Sequence, residues 1–346
     1  MPAKIHRIQL TGAETASARS LVDEVARRHR TVEDPEFHRL AEVYAHELPR
    51  ALRAALVDFR LSEPAGLCVV SGWQVDDEKI GPTPAHWSTR SIPSPTLSDD
   101  LFFYLCATFL GEPFAWATTQ HGRVLQDVLP VRGEEDRQLG TSSKEALTWH
   151  IEDSFHPLRG DYVGLLCLRN PDMVETTCAA ASDVNLPEKW QEALRAAQFV
   201  IRPDESHSWK TLIASAREHR IDLELLERAL EHYEAVVERP DQVPVLFGDP
   251  DDPYLLINSF YMDEPETEPA RTALAGLIAA LDAAMSGVAL SQGDVLFLDN
   301  YKVVHGRASF TARFDGTDRW LRRLNVTRDL RRSRELRASA SSRIIF

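Results

Sequence analysis

The chain has 346 residues, 43% hydrophobic and 27% charged, with 53 acidic against 39 basic side chains and a net charge of −14. This content is enough to bury a sizeable core and too apolar for a disordered chain, and the acidic balance excludes a surface built to hold a nucleic-acid backbone. Cys68, Cys106, Cys167 and Cys178 show no metal-ligand spacing and predict reduced thiols in a cytoplasm, while the lack of a signal-like start and of any apolar run of roughly 18 residues predicts neither export nor a membrane.

From the N-terminus, residues 14–28 and 36–59 carry apolar side chains at three- and four-residue spacing and predict amphipathic helices. In the second, Leu40, Val43, Leu48, Leu52, Leu56 and Phe59 form the stripe, and Pro49 is expected to split it. A strand over 66–71, a polar Pro-containing loop over 76–96 and a helix over 97–110 follow. Further strands are expected at 114–119, 146–152, 162–168, 176–181 and 199–202, with helices at 187–197 and 223–239. A helix over 267–285 precedes the last strands, at 294–298, 303–306 and 319–327.

Short strands with long insertions fit a double-sheet jelly roll better than a βαβ repeat. The expected class is mainly β with added helices (α+β). It is one domain over 1–346, largely helical to residue 112, with a jelly-roll core at 113–330 and a tail at 331–346. The arginines and serines beyond residue 328 predict a solvated terminus.

The segment Trp149-His150-Ile151-Glu152-Asp153 carries the first chemistry. Strand side chains alternate, so His150 and Glu152 share a face and can both reach one ion. Such a pair is frequent in structural roles. The C-terminal run Gly293 to Arg307, an apolar strand, a turn and a second strand holding His305, changes that balance. Strands distant in sequence can be neighbours in a jelly roll, which lets His305 complete a two-histidine, one-carboxylate face with open positions for small molecules. A closed structural zinc site would need a fourth ligand, and the HExxH signature of hydrolytic zinc is absent. A hydrolytic zinc enzyme and a catalytically silent β-sandwich remain competing readings.

The strand Asp318 to Thr327 places Arg319, Leu321, Arg323 and Asn325 on one face and Trp320, Arg322, Leu324 and Val326 on the other. A salt bridge easily explains one inward arginine. Two in register demand anions, because a desolvated guanidinium needs a partner, and its planar fork suits carboxylates.

Taken together, Trp116 to Gln120, His150 to Pro157, Asp161 to Asp172, Arg202 to His207 and Asp299 to Leu330 resemble the clavaminate synthase-like Fe(II)/2-oxoglutarate oxygenases. Within that group they are most similar to hydroxylases of free L-arginine and related amino acids in antibiotic biosynthesis. The resemblance implies a double-stranded β-helix in which His150, Glu152 and His305 bind Fe(II). It implies that Arg319, assisted by Thr177, holds 2-oxoglutarate, that Arg323 holds the substrate α-carboxylate, and that Ser206 touches substrate. Either Gln120 or Thr119 meets the substrate amine, and a lid lies within residues 204–218. Glu152 argues against halogenation, which in this fold requires loss of the carboxylate ligand. The expected assembly is a monomer or weak homodimer acting on a free amino acid.

The arginine-specific members carry two aspartates where Asn258 and Phe260 stand here. A guanidinium buried without carboxylates is poorly stabilised, whereas Asn258 can pair with a neutral urea or amide. This favours citrulline or a similar neutral polar amino acid. Asp204, Asp263 and Glu264 flank the site and keep arginine, its cyclic derivatives and lysine as alternatives.

Overall fold

The computed structural model describes residues 4–203 and 207–346. Strand β1 (Ile5–Gln9) leads into helices α1 (Gly12–Arg28), α2 (Pro35–Ala45) and α3 (Arg50–Ser62). Helix α1 starts at a capping box in which Thr11 and Glu14 bond reciprocally. The helix expected over 36–59 is two helices, with Pro49 at the start of the second, as its fixed φ and missing N–H favour. After β2 (Leu67–Ser71) come the short α4 (Asp77–Ile80) and α5 (Leu97–Ala107), which is buried on nearly every side.

The remaining chain supplies β3 (Glu112–Trp116), β4 (Gln126–Val128), β5 (Leu147–His150), β6 (Tyr162–Arg169) and β7 (Glu175–Ala180). Helices α6 (Glu188–Arg195), α7 (Trp209–Glu218) and α8 (Leu223–Glu238) follow, then β8 (Leu246–Gly248), β9 (Pro253–Leu255) and α9 (Glu268–Ala284). Strands β10 (Ser286–Ala289), β11 (Val295–Asp299), β12 (Val303–Arg307), β13 (Trp320–Thr327) and β14 (Ile344–Ile345) complete it.

Two sheets face each other as a jelly roll. The larger runs β1-β2-β11-β6-β13-β3-β14, with β4 also paired to β13; the smaller runs β10-β7-β12-β5. Alternation sorts the apolar residues into layers. Leu67, Val69, Leu165, Leu296, Leu298 and Leu321 point inward to meet Cys178, Ala180 and Val303 of the smaller sheet. Cys68, Val70, Leu166, Val295, Phe297 and Leu324 point outward into α1, α2, α3 and α5. Helices α6 and α9 cover the outer side of the smaller sheet, packing Leu194, Ala273 and Leu277 against Trp149, Ala179 and Val304. The first helices are therefore one wall of the sandwich.

Three expectations are corrected. Residues 199–202 form only isolated bridges, Phe199 to Val243 and Ile201 to Met262. The early strand β1 and the helix α7 were not foreseen. The tail is not a solvated terminus: Ile344 and Ile345 pair in parallel with β3, and Arg337 is buried with its guanidinium on the carbonyls of Leu330, Ser339, Ala340 and Ser342. Of the arginines that suggested solvation, Arg332, Arg334 and Arg337 donate to backbone oxygens, while Arg331 pairs with Asp329 on the surface. All four cysteines are free and buried, and no helix among the described residues is long and apolar enough to cross a membrane.

Candidate active site

Strand β12 lies between β7 and β5, with His305 opposite both Cys178 and His150. Trp149 turns outward, where its indole N–H donates to Asp282 of α9 at 2.7 Å, so His150 turns inward. Between His305 and Arg307 the pairing shifts by one residue, a bulge that lets β5 press onto Gly306. A Cβ there would sit 2.4 Å from the Leu147 carbonyl oxygen, so only glycine permits the approach.

The strand ends at His150, earlier than expected. Glu152 lies in the turn beyond it, held by fully buried Asn300, which accepts from the Glu152 N–H at 2.8 Å and donates to its carbonyl at 3.0 Å. The Glu152 carboxylate stands 3.7 Å from His150 Nε2 and 3.3 Å from His305 Nε2. Ligand atoms of all three residues lie within 4.8 Å of one another. His150 Nδ1 donates to the Thr148 carbonyl at 2.8 Å, which fixes the tautomer whose Nε2 lone pair faces the carboxylate. Burial raises the Glu152 carboxyl, but the Arg323 guanidinium and the two neighbouring imidazoles outweigh it and hold the group well below the usual carboxylate range. Two imidazole lone pairs and one ionised carboxylate on a single side fit a divalent metal with open positions.

These groups open into a cavity of about 400 Å³. Arg319, Leu321 and Arg323 of the β13 face line it together, as alternation predicts. Arg323 donates to Glu152 Oε1 at 2.7 Å and to Gln126 Oε1 at 2.6 Å. Arg319 is only 5% exposed, and no hydrogen bond or ion pair joins its guanidinium to another described residue. Burial, with Arg307 nearby, pushes its pKa down to about 10, so it stays a cation at neutral pH. Arg307, two residues after His305 and on the same face, reaches Ser142 Oγ and the Glu145 carbonyl. It thereby pins the segment whose Glu134, Gln138 and Thr141 roof the cavity.

Other expected contacts are redistributed. Thr177 faces away from the cavity, and Thr176 lines it, because Thr176 lies opposite Arg307 while Thr177 lies opposite Gly306. Thr119 and Gln120 border the cavity but serve β4: Gln120 clamps the Asp127 backbone at 2.8 and 2.9 Å, and Thr119 accepts from Gln126. Gln126 is thus the glutamine that faces Arg323, and sequence reasoning missed it. Asn258, Phe260 and Asp263 do not line the cavity. The Asn258 oxygen accepts from the Phe260 N–H, Phe260 is exposed, and Arg202 grips Asp263 at 2.6 Å on the surface. Asp204 and Ser206 lie outside the described residues. Of the expected lid, His207 and Thr211, at the start of α7, line the cavity.

Residues 105–325 match the family model described as taurine catabolism dioxygenase TauD, TfdA family. The chain is 48% identical over 339 residues to an enduracididine beta-hydroxylase of Streptomyces hygroscopicus, covering 98% of this chain and 99% of that protein. It is 42% identical over 344 residues to an L-ornithine/L-arginine 3-hydroxylase of Catenulispora acidiphila, covering 99% and 100%. Among solved structures, the non-heme iron oxygenase OrfP in complex with Fe, succinate and (3S)-hydroxy-L-Arg matches with a TM-score of 0.88 at 38% identity, covering 98% of this chain and 99% of that one.

Proposed function

Since the chain belongs to the TauD/TfdA family of dioxygenases and is an iron- and 2-oxoglutarate-dependent amino-acid hydroxylase, we propose that its substrate is a free basic amino acid of the arginine type, hydroxylated at an unactivated β or γ carbon. In this reading His150, Glu152 and His305 hold Fe(II), Arg319 takes the far carboxylate of 2-oxoglutarate, and Arg323 takes the α-carboxylate of the amino acid. When bound, iron and 2-oxoglutarate together supply the oxidation that turns a C–H bond into C–OH with consumption of O2.

The protein's own task is placement. Gln126 and Glu152 fix the Arg323 fork before substrate arrives, so less rotamer freedom is lost on binding. Arg319 lies four residues away on the same face, which separates the two carboxylate-binding positions by about two strand repeats, or ~13 Å along β13. Leu139, Leu147, Val163, Leu165 and Leu321 give the cavity an apolar lining that keeps water from the reacting carbon. The helical part before residue 113 belongs to the same catalytic unit, because α5 packs on the back of the sheet that carries both arginines.

The observation that carries this reading is Arg319: a buried cation without a partner among the described residues, facing the same cavity as the triad, is a receptor for an anion. For the substrate side chain, the preference for citrulline loses its footing. It required Asn258 to face the substrate, and Asn258 serves a local turn. Relatives named for enduracididine, ornithine and arginine favour the basic alternative.

The test is succinate formation from 2-oxoglutarate with Fe(II) under air across enduracididine, arginine, ornithine, lysine and citrulline, with mass analysis of each amino acid. Gain of one oxygen on enduracididine or arginine, with little turnover of citrulline, is the expected result. Coupled turnover confined to citrulline would overturn the substrate assignment and leave the oxygenase chemistry standing.

A further inference from the structure

A second cavity, of about 440 Å³, lies behind the turn that carries Glu152 and shares no lining residue with the first. Its volume falls within the range of small-molecule sites. One wall is the segment immediately after the triad, Ser154 to Arg159; the other is α8.

Two buried polar groups of this cavity, Arg159 and Ser154, are donors without an acceptor among the described residues. Arg159 is 8% exposed, its Nε is buried without a partner, and its guanidinium makes no hydrogen bond or ion pair with a described residue. The group lies over the Tyr301 ring, 4.5 Å from its centroid, a cation–π contact that holds it in place. The Ser154 hydroxyl is likewise buried and unpartnered. His156 Nδ1 accepts from the Leu158 N–H at 3.0 Å, so its proton sits on Nε2 and points at His232 Nε2, 3.1 Å away. His232 therefore carries its own proton on Nδ1. Burial lowers the pKa of both imidazoles, leaving the pair neutral and Arg159 the buried cation. Phe155, Ile201 and Leu256 make the rest of the wall apolar, and Arg239 and Asp241 stand at the rim.

We infer that this rear cavity is a second ligand site, which takes a small carboxylate carried on an apolar body. A planar carboxylate matches the guanidinium fork and the Ser154 hydroxyl together. A single buried cation balances one negative charge, whereas a phosphate dianion would leave charge uncompensated against apolar walls. Ser154 is two residues from Glu152, so an occupant would touch the same turn that positions the triad carboxylate.

The probe is benzoate, titrated calorimetrically into anaerobic enzyme loaded with Fe(II) and saturated with 2-oxoglutarate, so that the Arg319 position is filled and only the Arg323 position of the front cavity can compete. One equivalent is expected to bind. Arg159→Gln should weaken it at least about tenfold, as loss of a charge-assisted pair implies, and Ser154→Ala should weaken it severalfold. Arg323→Gln should leave it unchanged. Val236→Trp, which fills the rear cavity from α8, should abolish it and guards against a misfolded Arg159 variant. The inference is overturned by no saturable binding up to about 10 mM, by binding that follows Arg323 rather than Arg159, or by a preference for inorganic phosphate over benzoate.

Discussion

Arg322 of strand β13 and Arg319 just before that strand point to opposite faces, and the fold treats the two oppositely. Arg322 points into the helical wall, fully buried, with Nε on Asp100 at 2.8 Å, Nη1 on Asp127 and Nη2 on Thr96 at 2.6 Å. Asp100 is further held by Arg90 at 2.6 Å and Asp127 by the Trp320 indole at 2.7 Å. Arg319, three residues earlier and pointing into the jelly roll, is also buried and has no hydrogen-bond or ion-pair partner among the described residues. Equal burial with unequal compensation separates architecture from reception. A guanidinium closed by carboxylates joins two layers; one left open to a cavity waits for a carboxylate from outside.

The largest effect that tests this contrast is on stability. Arg322→Leu leaves Asp100 and Asp127 as buried charges short of a partner and should cost about 3–5 kcal/mol in urea unfolding. Arg319→Leu should cost nothing or stabilise the fold, because it removes an uncompensated buried cation. Equal destabilisation by the two changes would show Arg319 to be structural.

The next effect is on binding. In folded Arg319→Leu, loss of a charge-assisted hydrogen bond of about 2–3 kcal/mol should weaken 2-oxoglutarate roughly 30- to 150-fold. Substrate affinity through Arg323 should change far less. Weakening of both ligands to the same degree would remove the division of labour proposed for the two arginines.

A smaller effect separates two neighbouring threonines on β7. Thr176→Val should weaken 2-oxoglutarate by about 2- to 10-fold, the worth of one hydrogen bond, and Thr177→Val should not. The reverse result would restore the residue that the sequence suggested. A side-chain period of two makes this the least legible step, since a one-residue slip flips the face. The arginines of β13 escaped that ambiguity because an eight-residue strand displays its alternation at length. Strand β4, with three residues, displays none, so Gln126 could not be told from Gln120.

The triad was legible for a different reason. Two histidines and a glutamate on apolar strands have few structural explanations, and their meaning survived the early end of β5 because Asn300 holds the turn in place of the ladder. Asn258 illustrates the converse. A short polar side chain in a loop satisfies its own backbone as readily as a ligand, and nothing in the residue type distinguishes the two. The buried tail shows the same limit for charge: Arg337 spends its donors on carbonyls, which composition cannot reveal.

The smallest predicted effect is on pH dependence, and it bounds how strained the open arginine is. Burial lowers the Arg319 pKa from its ordinary value to about 10, and 2-oxoglutarate needs the protonated form, so affinity is full below that value and lost as pH rises through it. At pH 9 about a tenth of the unliganded group is neutral, so the dissociation constant should rise by only about ten per cent between pH 7 and pH 9. Titration calorimetry with a redox-inert divalent metal in the triad reads this directly. A fall in affinity of roughly tenfold across that interval would place the pKa near 8. The face would then be uncompensated enough to discharge itself, and Arg319 would be a far weaker receptor than its geometry implies.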